Sequence, residues 1–176
     1  MREIQQKALQ IKLLILDVDG VLTDGKIYFI ESGAEYKAFN SKDGLGIKLL
    51  LKTGVTIGII SGRQSASVNQ RLRPLGVQYI YQNQDNKLSA FAELKTKLNL
   101  TQQQIAYVGD DLTDLPILTQ VGLSIAVADA DDFVKQHVDW ITKLPGGMGA
   151  VREVCELIMH AQNTLGDMQQ QFINHA

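Results

Sequence analysis

Residues 11–25 read Ile-Lys-Leu-Leu-Ile-Leu-Asp-Val-Asp-Gly-Val-Leu-Thr-Asp-Gly, and their reading decides the fold. Leu13 to Leu16 show no polar alternation, the pattern of a strand covered on both faces within a parallel sheet. Asp17 and Asp19 follow at once, so two carboxylates stand one residue apart where a buried strand surfaces. Sheets of this kind hold their ligands at the carboxyl ends of strands. Like charges so close disfavour each other's ionisation, and a divalent cation, a shared proton or both is expected between them. Taken alone, Asp-x-Asp-Gly is equally the mark of an aspartate-rich turn, so the rest of the chain has to decide.

Beyond Gly25, Lys26 to Ile30, the turn residues Glu31-Ser-Gly-Ala34, and Glu35 to Phe39 predict a β-hairpin projecting from the first strand. Its residues 27–30 are apolar without alternation, so a thin two-stranded element needs cover on both faces, and self-association through it is expected. A helix starting near Ser41 or Asp43 and ending at Gly54 follows, then a buried strand at 55–60 and a helix from the Ser61-Gly-Arg63 turn to about Arg73. Strands at 77–81, 105–108 and 123–127 alternate with a helix over 87–98. A short helix from Asp131, a strand at 139–141, the glycine-rich run 146–149 and a helix from Ala150 to about Leu165 complete the pattern. This alternation predicts an α/β, Rossmann-like three-layer sandwich with a mostly parallel central sheet and no room for a large cap domain. Residues 1–10 read as a lead-in, 11–165 as a single domain, and 166–176 as a polar, mobile tail.

At 176 residues with 45% hydrophobic and 20% charged residues, the chain suits one soluble domain with one core. A net charge of -2 and the absence of any basic run argue against nucleic acid or membrane partners and for a small molecule. No apolar segment reaches the about 20 residues a membrane span needs, and the first residues lack a signal-peptide pattern, so a cytoplasmic location is expected. The one cysteine, Cys155, falls on the apolar stripe Val151, Val154, Ile158 and reads as core. His137, His160 and His175 have no ligand-like spacing and receive no catalytic role.

Four strand ends carry polar groups in order: Asp17 and Asp19, then Ser61, then Lys87, then Gly109-Asp-Asp with Asp114. One such residue is an ordinary helix cap, but four in sequence should meet in one crevice. The ordered set Asp17-Val-Asp-Gly20, Ser61, Lys87 and Gly109-Asp-Asp-Leu-Thr-Asp114 resembles the haloacid dehalogenase superfamily of phosphotransferases. That resemblance implies Asp17 as nucleophile, forming an aspartyl phosphate, and Asp19 as general acid and base. It implies Mg2+ bound by Asp17, the Asp19 backbone carbonyl and Asp110, with Ser61 and Lys87 on the phosphoryl oxygens. Asp111 and Asp114 would support the metal through water or order the loop.

The stretches Lys37-Ala-Phe-Asn40, Asp43-Gly-Leu-Gly-Ile47, Gln84-Asp-Asn-Lys87 and Gly149-Ala-Val-Arg-Glu-Val-Cys155 extend the match to the hairpin-capped branch, the 3-deoxy-D-manno-octulosonate 8-phosphate phosphatase family. Resemblance to that branch implies hydrolysis of a sugar acid phosphate in lipopolysaccharide inner-core biosynthesis by a homotetramer whose subunits cover one another's sites. It further implies substrate contacts from Asp19, Asn40, Ser41, Lys42, Asp43, Gly44, Lys48, Arg63, Arg71 and Lys87. The cations suit a ligand bearing carboxylate as well as phosphate. Two departures stand out. Lys42 replaces the usual arginine, losing a bidentate fork, and Met148 interrupts the glycine loop where a cation is usual. An acylneuraminate or deaminated neuraminate 9-phosphate is the alternative substrate. A non-catalytic module on this scaffold is the alternative class, although this chain keeps Asp17, Asp19 and Lys87.

Overall fold

Leu13–Leu16 form β1, with all four side chains fully buried, as their unbroken apolar run requires. The computed structural model describes residues 2–33 and 35–174; Ala34 of the hairpin turn and His175 lie outside them. In chain order, α1 (Arg2–Leu9) and β1 precede the hairpin strands β2 (Tyr28–Phe29) and β3 (Glu35–Tyr36), α2 (Ser41–Lys52), β4 (Thr56–Ile60) and α3 (Ala66–Leu72). Then come β5 (Tyr79–Tyr81), α4 (Lys87–Lys97), β6 (Ile105–Gly109), α5 (Leu115–Leu118) and β7 (Leu123–Ala126). The chain continues through α6 (Asp132–Lys135), β8 (Trp140–Ile141), α7 (Ala150–Ala161) and α8 (Leu165–Asn174). The sheet runs β5-β4-β1-β6-β7-β8 with every pair parallel, and helices flank it as the α/β reading predicts. Because β1 is central and the chain passes from it to neighbours on both sides, the crevice at its carboxyl end is a topological switch point.

The most extensive helix contact joins α2 to α7. Gly46 makes it possible: a Cβ there would lie 2.9 Å from Arg152 Cδ and 3.0 Å from Arg152 Cα. Asp43 adds a polar link, accepting the Arg152 backbone N–H at 2.8 Å. The N-cap of α7 is Gly149, which has no side chain, so a carboxylate on α2 satisfies its orphan donors instead. Burial lifts the Asp43 carboxyl above its ordinary value, opposed by the backbone N–H groups of Arg152, Gly149 and Val151. Cys155 is fully buried in the same helix, where burial pushes its thiol up and keeps it unreactive.

Both chain ends differ from the sequence reading. The lead-in is helical from Arg2 to Leu9 and packs on α7, and residues 165–174 form a helix where the polar composition predicts a mobile tail. Helix α7 stops at Ala161 because Asn163 turns left-handed at φ 57°. Its N–H reaches His160 O at 3.1 Å and the Thr164 N–H reaches Met159 O at 2.9 Å, the paired bonds of a Schellman stop. The apolar pattern runs through this break because Leu165 and Met168 keep packing on the core. Helix α5, a single turn after Asp114, was not expected either.

Gly46→Ala should cost about 1–3 kcal/mol by forcing α2 from α7. Gly166→Ala, where nothing lies within 4 Å of the added carbon, should leave stability unchanged or raise it by up to about 1 kcal/mol. Thermal melts of the two variants check this, and an equal effect would contradict the packing account.

Candidate active site

Strand register builds the site. Leu16 is level with Ile59 on β4 and Val108 on β6, so one step further Asp17 stands beside the strand ends that deliver Ser61 and Asp110. The Asp17 backbone N–H is fixed to Val108 O at 3.1 Å. Gly20, at φ 90°, lets the loop after β1 fold under Asp110, since a Cβ there would sit 2.0 Å from Asp110 Oδ2. Lys87 arrives at the first position of α4, whose N-cap is Asn86. Asp17, Asp19, Ser61, Arg63, Lys87, Asp110 and Asp111 then line one crevice of about 410 Å³, with Gln84, Asp85 and Thr113 at its walls.

Asp114 is fully buried beneath that crevice and its carboxylate is saturated. Oδ1 accepts Lys87 Nζ at 2.7 Å and the Tyr107 hydroxyl at 2.6 Å, while Oδ2 accepts the backbone N–H groups of Asp110 at 2.9 Å and Asp111 at 3.3 Å. Lys87 Nζ also lies 3.1 Å from Asp17 Oδ1, bridging the two aspartates. Asp111 is exposed and caps the turn that follows, its side chain holding the Leu112 N–H at 2.7 Å. Sequence reading expects Asp114 to hold the metal through water or order the loop and Lys87 to offset the charge of Asp17. The structure places Asp114 beneath the loop, bonded to Lys87, and Lys87 Nζ 3.1 Å from Asp17 Oδ1. Tyr107 is buried within β6, where its place in the strand pattern hides the role of its hydroxyl.

Burial lifts the Asp17 carboxyl to about 7, with the Asp114 charge adding to it and Lys87 opposing. Asp110 is lifted to about 8 by burial and then by the charges of Asp17 and Asp114. Burial pulls the Lys87 ammonium down, but Asp17 and Asp114 more than reverse this and keep it charged. Carboxylate oxygens of Asp17, Asp110 and Asp114 lie within 4.8 Å of one another, close enough to share a cation. Asp114 has no lone pair to spare, whereas Asp110 Oδ1 is buried without a partner. An all-oxygen donor set that includes an orphaned, buried carboxylate oxygen fits a hard divalent cation such as Mg2+.

The hairpin adds residues that sequence reasoning missed. Lys37, with its side chain only 3% exposed, pairs with Asp19 Oδ1, and its Nζ lies 3.0 Å from Glu35 Oε1. Glu35 also holds Arg63 at 2.5 Å. An alternating Glu35-Tyr-Lys37 at the base of a hairpin was the available signal, because both charges fall on one face of the strand.

Not every expected substrate residue reaches the crevice. Asn40 caps α2 through Lys42 N–H at 2.8 Å and donates to Gly147 O at 3.1 Å. Asp43 is taken up by α7, and the Arg71 guanidinium lies against Gly44, in a separate small recess with Leu22, Phe39 and Ile47. Ser41, Lys42 and Lys48 are exposed and line neither place.

Folded Asp17 and Asp110 keep their protons up to about 7 and about 8, whereas in the unfolded chain the ordinary value is 3.8. The metal-free protein therefore loses stability as pH rises through that window, and a cation that favours the ionised carboxylates restores it. Melts with Mg2+ and with chelator should differ far more at pH 8 than at pH 5. An equal difference at both would contradict this electrostatic picture.

Comparison with known proteins matches residues 76–151 to the haloacid dehalogenase-like hydrolases. The 3-deoxy-D-manno-octulosonate 8-phosphate phosphatase of Escherichia coli strain K12 is 49% identical over 167 residues, spanning 95% of this chain and 89% of that protein. The crystal structure of the phosphatase of that name from Moraxella catarrhalis, in complex with magnesium ion, phosphate ion and KDO, is similar with TM-score 0.95 and 45% identity. It covers 98% of this chain and 99% of the other. The Yersinia pestis phosphatase of the same name gives TM-score 0.92 and 46% identity, with 93% and 89% covered. Likeness at this level over nearly the whole length means that the chain belongs to the 3-deoxy-D-manno-octulosonate 8-phosphate phosphatase family of haloacid dehalogenase-like hydrolases.

Proposed function

We propose that this protein is a Mg2+-dependent phosphoric monoester hydrolase that converts 3-deoxy-D-manno-octulosonate 8-phosphate to the free sugar acid and inorganic phosphate, within lipopolysaccharide inner-core synthesis. The observation that carries the reading is the meeting of Lys87 with the carboxylates of Asp17 and Asp110 at a strand-end crevice, where Asp110 keeps a buried oxygen without a partner. An Asp17 oxygen attacks phosphorus, and the bond from phosphorus to the sugar oxygen breaks while Asp19 gives that oxygen a proton. Asp19 then takes a proton from water, whose oxygen attacks the aspartyl phosphate and returns Asp17 as a carboxylate. Lys87 and Ser61 hold the phosphoryl oxygens as their charge shifts. Mg2+, held by Asp17, the Asp19 backbone carbonyl and Asp110, would neutralise charge so that one anion can approach another. Arg63 in the crevice suits the substrate carboxylate.

The assembly we propose is a homotetramer. Ile27, Phe29, Ile30 and Tyr36 are exposed on and beside the hairpin, with Phe29 at 66%, an apolar surface that a second copy would cover. In such an assembly the exposed Ser41, Lys42 and Lys48 reach the sugar from a neighbouring copy, while Asn40, Asp43, Gly44 and Arg71 serve inside their own chain. Residues 11–165 form one catalytic domain in this reading, with α1 and α8 packed around it. We place the protein in the cytoplasm, a setting that suits the free Cys155 thiol; among the described residues no helix is long and apolar enough to cross a membrane.

A panel of sugar acid phosphates compared by kcat/KM should favour the octulosonate 8-phosphate over nine-carbon 9-phosphates, with activity lost on chelation and regained with Mg2+. A preference for the nine-carbon compounds would overturn the substrate assignment. Asp17→Asn should lower kcat by more than about 10^4-fold; wild-type turnover would exclude the covalent route. Sedimentation should give a tetramer that Phe29→Glu weakens together with kcat/KM, and a monomeric wild-type protein would contradict the shared site.

A further inference from the structure

Tyr107 is fully buried in the central β6 strand, an unusual place for a hydroxyl in an otherwise apolar run of sheet. A buried phenol needs a partner, and this one donates at 2.6 Å to Asp114 Oδ1. The same oxygen accepts Lys87 Nζ at 2.7 Å, and Lys87 stands 3.1 Å from Asp17. Asp114 belongs to the trio of carboxylates near enough to share a cation, yet its four donors leave it no free lone pair. Remove the hydroxyl and Oδ1 keeps only Lys87, with a lone pair left free in a carboxylate near those of Asp17 and Asp110.

We propose that Tyr107 is a positioning residue that acts through Asp114: its hydroxyl locks the Asp114 carboxylate as the anchor of Lys87. That anchoring aims a remaining Lys87 proton into the crevice and keeps Asp114 from turning toward the cation. The inference rests on the phosphatase reading, in which Lys87 holds the equatorial phosphoryl oxygens. A misaimed ammonium loses most where those oxygens carry most charge, in the transition state, so Tyr107 bears on turnover more than on substrate capture.

The test is Tyr107→Phe, which deletes one buried oxygen and keeps the ring. Turnover of the octulosonate 8-phosphate should fall about tenfold with KM within about twofold, and orthovanadate, a trigonal mimic of the transferring group, should bind about tenfold more weakly by calorimetry. In a Lys87→Met background the same change should not weaken vanadate binding further, because the route through Lys87 is already cut. Ile125→Val, a core change in β7, controls for stability and should leave kcat unchanged. If Tyr107→Phe does not fold, Asp114→Asn reads the link from its other side and must show the same loss in kcat with KM kept. Wild-type kcat in the folded variant, an undiminished effect on vanadate in the Lys87→Met background, or an equal loss in Ile125→Val would overturn the proposal. An inactive wild-type protein would instead remove the phosphatase reading itself.

Discussion

Three carboxylates, Asp17, Asp110 and Asp114, meet within 4.8 Å at the end of a buried strand with one ammonium, Lys87, among them, and the surrounding architecture answers that charge. Two of the three resist ionisation, lifted to about 7 and about 8, and the third is paid in hydrogen bonds from Lys87, Tyr107 and two backbone N–H groups. A divalent cation held by Asp17 and Asp110 would neutralise what remains, with Lys87 beside it to meet a dianionic phosphate. The cluster is costly without its ligands, which is the condition under which electrostatics act most strongly on a reacting group.

Loops far apart in sequence hold this cluster in position. Gly147 N–H donates to Val21 O at 2.9 Å, and Asn40 Nδ2 to Gly147 O, so the glycine-rich run before α7 braces both the loop that carries Asp19 and the entry to α2. Asp43 then ties α2 to the first turn of α7. The hairpin closes the other side, laying Lys37 on Asp19 and bridging Glu35 to Arg63. Exposed Phe29 stands opposite Glu35 in the strand register, so apolar surface and charges that reach the crevice share one short element.

Much of this was legible in the sequence because strand ends are local features. The apolar runs at 13–16, 56–60 and 105–108 set the parallel sheet, and the polar residue after each run falls into the crevice by register alone. What was not legible depends on partners distant in sequence. Asp43, Asn40 and Arg71 look like free polar groups in a loop-helix junction, and only the packing of α2 on α7 and of Arg71 on Gly44 shows that they are engaged within the chain. Tyr107 fits a strand pattern whether or not its hydroxyl has a role. The Schellman stop at Asn163 hid because the apolar stripe continues across it.

The central claim is that Asp17, among the acidic residues of the cluster, takes the phosphoryl group. Mixing enzyme and Mg2+ with radiolabelled octulosonate 8-phosphate, quenching in acid within the first turnover and mapping the label by peptide mass spectrometry tests it directly. The account predicts an acid-stable, base-labile phosphate on the peptide containing Asp17, formed and lost at rates compatible with turnover. Label on Asp19, Asp110 or Asp114, or none at any point in a productive turnover, would contradict it.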